Sequence, residues 1–314
     1  MNVPLQLDGL ENAALPARPL QLAIGMFDGV HRGHRAVVAS AVTAARRTAG
    51  LAGVLTFWPH PSIFFRAASP TRLIMSPADK VRALAALGIE AIITLKFSED
   101  LARLPAEEFL PYLQRHLPRL AGVHVGDNWR FGRGRTGDSA LLVREGARLG
   151  LTVVSVPRIE LAGAPVSSTR IRELLQTGEI SRANEMLGAP YAAHGPVIPG
   201  RQLGRKLGFP TLNLAWTPDL QPRYGVYAVK VSGAKAAAAL PGVANFGLRP
   251  TVESVAEPRL EVHILGDCPF ATGDEVKVEW LRFIRPEKKF AGVEELRAQI
   301  GRDRMEASAD FSLR

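Results

Sequence analysis

The chain has 314 residues, 46% hydrophobic and 22% charged, and its 39 Lys and Arg outnumber 30 Asp and Glu for a net charge of +9. That length suits two domains rather than one small core, and no apolar run is long enough for a membrane-spanning helix. Cys268 is the only cysteine, which excludes intrachain disulfides and cysteine-rich zinc sites. The opening "MNVPLQLDGL" has no signal-peptide pattern, so the expected compartment is the cytoplasm.

The basic excess is not concentrated in a Lys/Arg block. It falls in glycine-bearing loops: Arg130, Arg133 and Arg135 in "RFGRGRTG", then Arg201, Arg205 and Lys206 in "GRQLGRKLGFPT". Short basic loops favour phosphate-bearing small molecules over nucleic acid. Neither a membrane nor an obligatory protein partner is expected.

In chain order, "LQLAIGMF" reads as a buried strand and "HRAVVASAVTAARRTAG" as an amphipathic helix closed by Gly50. The strand "LAGVLTF" follows, then a helix capped by Ser76 with Pro77 at its first position. "IEAIITL", a helix over "PAEEFLPYLQRHL", "GVHVG", the capped helix "DSALLVREGARLG" and "LTVVSVP" complete the alternation. Five strands separated by helices predict a doubly wound parallel sheet. Two short helices, "STRIRELLQTG" and "ISRANEMLG", precede a change of pattern near residues 187–191. Beyond it, "YAAHGPVI", "FPTLNLA", "GVYAVKV", "GVANFG", "RLEVHIL" and "DEVKVEWLRFI" read as strands of a small antiparallel β-barrel, closed by a C-terminal helix. The expected class is α/β plus β, with domains at residues 1–187 and 188–314.

The stretch "AIGMFDGVHRGHRAVV" places His31 and His34 on the first turn of a helix directly after a strand. A helix N-terminus offers free N–H groups and positive potential to an anion. Gly29 and Gly33 allow close approach, and histidines at i and i+3 share one face. That arrangement suits a phosphorus under attack. A metal pair and a plain polar helix start remain open on spacing alone. "VSSTRIRELL" repeats the theme, with Ser167, Ser168 and Thr169 before Arg170 and Arg172.

"GMFDGVHRGH" with "SSTRIR" resembles the HxGH nucleotidyltransferases, and "GDNWRFGRGRTGD" and "TFWPHP" resemble the FAD synthetase module of bacterial bifunctional riboflavin kinase/FAD synthetases. The resemblance implies that Gly25, Phe27, Asp28, His31 and His34 hold ATP, and that Asn128, Ser168, Thr169 and Arg172 contact its phosphates or magnesium. His31 and His34 become catalytic, and FMN the acceptor. Gly132, Gly134 and Gly137 also satisfy the G-x-G-x-x-G dinucleotide fingerprint. "DNWRF" separates them from the preceding strand, so an oxidoreductase is not expected.

In the second half, Thr211 and Asn213 alternate onto one strand face, where either both reach one Mg2+ ion through oxygen or they are merely surface residues after a long hairpin loop. Arg259, Glu261 and His263 share a face opposite Leu260, Val262 and Ile264. On that face Glu261 is either a general base or a partner in surface salt links. "GxxLGxxLGFPTxN", "YGVYAVKV", "GVANFGLRPTV", "LEVHIL" and "RPEKKF" together resemble the riboflavin kinase barrel. The resemblance implies ATP binding by Gly204, Arg205, Gly208, Pro210, Thr211 and Asn213. It makes Thr211 and Asn213 the metal ligands and Glu261 the base toward the ribityl 5′-hydroxyl.

The function then expected is two-step flavin cofactor synthesis, with ATP as co-substrate and riboflavin, FMN and FAD as substrates or products. "GDCPFATGD", residues 266–274, replaces that family's usual hairpin. An adenylyltransferase with a degenerate kinase barrel is therefore one alternative. A non-catalytic flavin- or nucleic-acid-binding protein on the same scaffold is another.

Overall fold

The structure, a computed structural model, describes residues 3–11, 14–200, 204, 208–248 and 258–312. It divides into two compact units, Met1–Ser168 and Thr169–Arg314.

The first unit is built on a parallel sheet of six strands: β1 (Leu5–Asp8), β2 (Leu20–Ile24), β3 (Leu51–Trp58), β4 (Ala91–Lys96), β5 (Leu120–Gly126) and β6 (Thr152–Val156), in spatial order β1-β4-β3-β2-β5-β6. Apolar residues fill both faces. Leu22, Leu55, Ile93 and Val123 enter one core with Phe109, Leu110 and Leu142. Their neighbours Ala23, Val54 and Ile92 enter another with Val38, Ala41 and Leu84. Two cores on opposite faces are what period-2 alternation in a helix-covered sheet produces.

The sequence reading undercounts this sheet by one. Leu5–Asp8 pairs in register with Ala91–Thr94, but as a largely exposed four-residue edge it carries no alternation to detect. β2 also ends at Ile24, so Gly25–Val30 is loop rather than strand. The helix Arg32–Arg47 closes at Thr48, and Ala49 takes the positive φ of 48°. Gly50 takes part in that closure, its N–H donating to Ala45 O at 2.7 Å beyond the left-handed Ala49. It also makes room, since a Cβ there would collide with the Pro19 carbonyl. The expected helix over 105–117 is a 3-10 turn, Ala106–Glu108, leading into Phe109–His116. Ser76 and Asp138 cap their helices as read, accepting from Asp79 N at 3.1 Å and Leu141 N at 2.9 Å. A two-stranded ribbon, β7 (Glu160–Leu161) and β8 (Ala164–Pro165), follows the sheet.

The second unit is a closed antiparallel barrel of β9 (Tyr191–Ile198), β10 (Leu212–Leu214), β11 (Gly225–Gly233), β12 (Leu240–Leu248), β13 (Pro258–Ile264) and β14 (Glu275–Pro286), in the order β10-β13-β12-β11-β14-β9. Its interior is aromatic: Trp280 and Tyr227, both fully buried, stand 4.3 Å apart between ring centroids, with Tyr191, Trp216 and Phe246 around them. The C-terminal helix Val293–Ser312 packs Ala307 against Val226, Ala228 and Val243 on the outer face. Arg285 clamps Asp303 of that helix at 2.9 and 2.7 Å.

The helices Ser168–Thr177 and Ile180–Leu187 cluster with the barrel from Thr169 onward, ahead of the change of pattern near 187–191. Arg223 N donates to Leu175 O at 3.0 Å, and Asn184 bridges Trp280 O and Tyr191 N at 2.7 Å each.

Candidate functional sites

The order of the parallel sheet reverses at β2, with β3 on one side and β5 on the other. Ligands of such sheets lie off the strands' carboxyl ends at this switch point. There Gly25–Val30 leaves β2 with Phe27 at φ 51°, Gly29 at 84° and Val30 at 39°. Positive φ at Phe27 and at β-branched Val30 costs about 1–3 kcal/mol each and needs support from surrounding contacts. Both side chains are buried. The Asp28 carboxylate accepts from Ile74 N at 3.0 and 3.2 Å, and its carbonyl accepts from Ser168 Oγ at 2.9 Å.

His31 is the cap of the helix, not a member of its first turn: its Nδ1 accepts from His34 N at 3.3 Å. The two rings stack at 3.6 Å with 16° between planes, and His34 meets Phe27 edge-on at 5.3 Å. The pair is brought together more closely than shared helical spacing implies. Gly29 supplies the positive φ, whereas Gly33 spares the His31 ring, to which a Cβ would stand 3.2 Å away. A metal pair finds no support in a ligand cluster, since no group of three His, Cys, Asp or Glu among the described residues can hold one.

Gly25 bonds back to Leu55 O at 3.1 Å and starts this loop. Asn128 follows β5 in a turn and lines a cavity of about 780 Å³ walled by Phe57, Phe65, Phe97, Trp129 and Phe131. Trp129 and Phe131 stack at 4.5 Å, and Phe65 stands edge-on to Phe97 at 5.6 Å. The described cavity wall contains neither His31 nor His34. Sequence reasoning missed the aromatic wall, because its residues come from four separate segments. Thr169 and Arg172 continue the helix that Ser168 begins, within the second unit. Gly132, Gly134 and Gly137 form a loop around the 3-10 turn Arg133–Arg135, with Phe131 bridging Gly137. No strand there runs directly into a helix, so the dinucleotide fingerprint has no matching structure.

In the barrel, register assembles the second site. Glu261 on β13 lies opposite Asn213 of β10 and Asn245 of β12. Gly204, Thr211, Asn213 and Glu261 line one cavity of about 250 Å³, which also meets Glu287 and Asp303. Asn213 is buried, and its Oδ1 has no hydrogen-bond partner among the described residues. An orphaned hard oxygen of this kind fits a magnesium ion. His263 Nδ1 donates to Pro210 O at 2.8 Å, tying β13 to the segment before Thr211. Gly208 has φ 87°, and Gly204 O accepts from Phe209 N at 2.8 Å. Arg205 lies outside the described residues.

Glu287 and Asn245 received no role from sequence. Burial pushes the Glu287 carboxyl up, opposed by hydrogen bonds from Asn245 and Leu248 N and by the charge of Arg285. None of residues 266–274 lines this cavity. They form no hairpin but a connection between β13 and β14, which are not neighbours in the barrel, with Ala271 N donating to Asp274 at 2.8 Å and Phe270 buried.

Comparison with known proteins agrees with both halves. The FAD synthetase family model matches residues 15–170 and the riboflavin kinase model residues 187–311. The bifunctional riboflavin kinase/FMN adenylyltransferase of Escherichia coli K12 is 38% identical over 308 residues, 97% of each chain. Its Bacillus subtilis counterpart is 34% identical over 93% of this chain and 92% of that one. A solved Streptococcus pneumoniae structure described as a macrolide-efflux protein aligns with a TM-score of 0.85 at 29% identity, over 98% and 99% of the two chains. Among the described residues no helix is long and apolar enough to cross a membrane. By its two matched domains and its full-length relatives, the chain belongs to the bifunctional riboflavin kinase/FMN adenylyltransferase family.

Proposed function

We propose that the chain converts riboflavin to FMN in the barrel and FMN to FAD in the first unit, each at the expense of ATP. The observation that carries this reading is the register that gathers Glu261, Asn213 and Thr211 around one cavity, while a separate aromatic cavity adjoins Asn128 in the other unit. In the barrel, Glu261 takes the ribityl 5′-hydroxyl proton as that oxygen attacks the γ-phosphorus, and ADP leaves. Thr211 and Asn213 would hold Mg2+, which neutralises phosphate charge when bound.

In the first unit, a phosphate oxygen of FMN attacks the α-phosphorus of ATP, forming the pyrophosphate bond of FAD as pyrophosphate leaves. No proton need be removed from an ionised phosphate, so the site's task is charge stabilisation by His31, His34 and the helix N-terminus. The aromatic walls suit the flat isoalloxazine ring, which stacks on aromatic faces. The adenylyltransferase is assigned to residues 1–187 and the kinase to 188–314, in the cytoplasm, where the lone cysteine is compatible with reducing conditions. No nucleic acid or protein partner is required.

Incubation with riboflavin, ATP and Mg2+, with FMN and FAD separated over time, tests the reading. FMN should appear first and FAD follow. FAD from supplied FMN but no FMN from riboflavin would indicate a degenerate barrel. No turnover, with salt-sensitive polynucleotide binding, would indicate the non-catalytic alternative.

A further inference from the structure

Lys80 is a partly buried charged residue of the first unit that neither motif includes. It projects from the helix Pro77–Ala86, and its Nζ donates to Met26 O at 3.3 Å and to Thr56 Oγ1 at 3.2 Å. Thr56 Oγ1 itself donates to Met26 O at 3.2 Å. The ammonium thus sits beneath Gly25–Val30, the loop whose Phe27 and Val30 adopt positive φ. Burial lowers the Lys80 pKa, and the opposing influence is the Asp28 carboxylate. An ammonium taken out of water is retained where a specific interaction needs it.

The fold has other means of securing this helix. Ser76 caps it and Leu84 is fully buried in the core below. Met26 O also has the Thr56 hydroxyl, so its hydrogen bonding survives without Lys80. What the ammonium alone contributes is a positive charge under the loop, lining the same small cavity as Asp28, together with a second hold on the residue that precedes Phe27.

We propose that Lys80 is a positioning residue for adenylyl transfer, holding the Met26 carbonyl and the Thr56 hydroxyl so that the strained loop presents His31 and His34 to the nucleotide. It acts through the loop and touches no substrate. The inference rests on the assignment of this loop to ATP.

The test replaces the charge with an apolar side chain of similar length, Lys80→Met, in the full chain. Three quantities are read on one preparation: kcat and KM for ATP in FAD formation from FMN, equilibrium binding of ATP, and FMN formation from riboflavin. The melting temperature serves as the folding control for the first unit, and the kinase rate shows that the barrel is undisturbed. The expected result is a drop of tenfold or more in kcat/KM for FAD formation, with a raised KM and weakened ATP binding in the first unit. Kinase turnover should stay within twofold of wild type. Lys80→Arg, which keeps the charge, should recover most of the loss.

Wild-type kcat, KM and ATP binding in Lys80→Met would overturn the proposal, as would a loss that only follows a lowered melting temperature and is not restored by Lys80→Arg. Should Lys80→Met fail to fold, Lys80→Gln keeps a donor without the charge. The same drop in kcat/KM is expected of it, and wild-type values in Lys80→Gln would equally overturn the proposal. If the wild type binds ATP in its first unit but makes no FAD, the functional reading fails while ATP binding still decides on Lys80. If it binds no ATP there, both fail.

Discussion

The two units solve the same problem, presenting polar groups to a phosphate chain, by different routes. In the parallel sheet the proposed site hangs from one contiguous loop and the helix it enters, residues 25–34, beyond a strand end. In the barrel it is spread over three strands, and Asn213, Glu261 and Asn245 become neighbours only through register. A loop site concentrates strain and needs support from below. A register site needs little strain but requires the whole barrel to close. Damage should therefore stay local in the first unit and in the second depend on barrel integrity.

The largest effect is expected from replacing both histidines. His31→Ala with His34→Ala should reduce FAD formation below detection, since loss of one charge-stabilising donor typically costs about 10²–10³ in rate. FMN should still accumulate. A double variant within tenfold of wild type would separate the stacked pair from the chemistry. In the barrel, Glu261→Gln keeps the shape and removes the proton acceptor, a loss of about 10²–10⁴ in kinase rate. Its melting temperature should hardly change, and supplied FMN should still become FAD. A lower melting temperature with both activities reduced would mean instead that the barrel was damaged.

A fragment beginning at residue 169 keeps the bonds of Asn184 to Trp280 and of Leu175 to Arg223. It should phosphorylate riboflavin within a few-fold of the full chain. A fragment beginning at residue 188 loses those bonds and should melt lower. Equal melting temperatures would show that the two short helices contribute nothing to the barrel.

The smallest effect concerns acid stability of the first unit. His124 is buried between Ser40 Oγ at 2.8 Å and Gln21 Oε1 at 3.1 Å, and burial pushes its pKa down to about 4. The unfolded chain, with an ordinary histidine pKa near 6.5, binds more protons between these values. Stability is therefore full above about pH 6.5 and falls toward pH 4, by up to about 3 kcal/mol from this group. His124→Gln should flatten the pH dependence of urea unfolding in that window. An unchanged slope would remove His124 as its source.

How much of this was legible follows from where the signals lie. The histidine motif, the Ser76 and Asp138 caps and the six barrel strands are local patterns, and each was readable from a short window. The edge strand Leu5–Asp8 was not, because its side chains are mostly exposed and only its pairing with β4 defines it. His31 as a cap was hidden because its ring bonds the backbone of His34, a choice that spacing does not reveal. The aromatic cavity draws Phe57, Phe97 and Trp129 from distant segments, and Glu287 meets Asn245 only after the barrel closes. Lys80 looks like any solvated helix lysine until the helix is laid against the loop.

On the proposed mechanism, two separate sites act in sequence through a diffusible product. Mixing His31→Ala/His34→Ala with Glu261→Gln in one vessel, supplied with riboflavin, ATP and Mg2+, tests it most directly. Alone, the first variant should stop at FMN and the second should make almost nothing from riboflavin. Together they should produce FAD, because FMN released by one is adenylylated by the other. A mixture that stays blocked while each variant remains folded would rule out a diffusible FMN intermediate between the two sites.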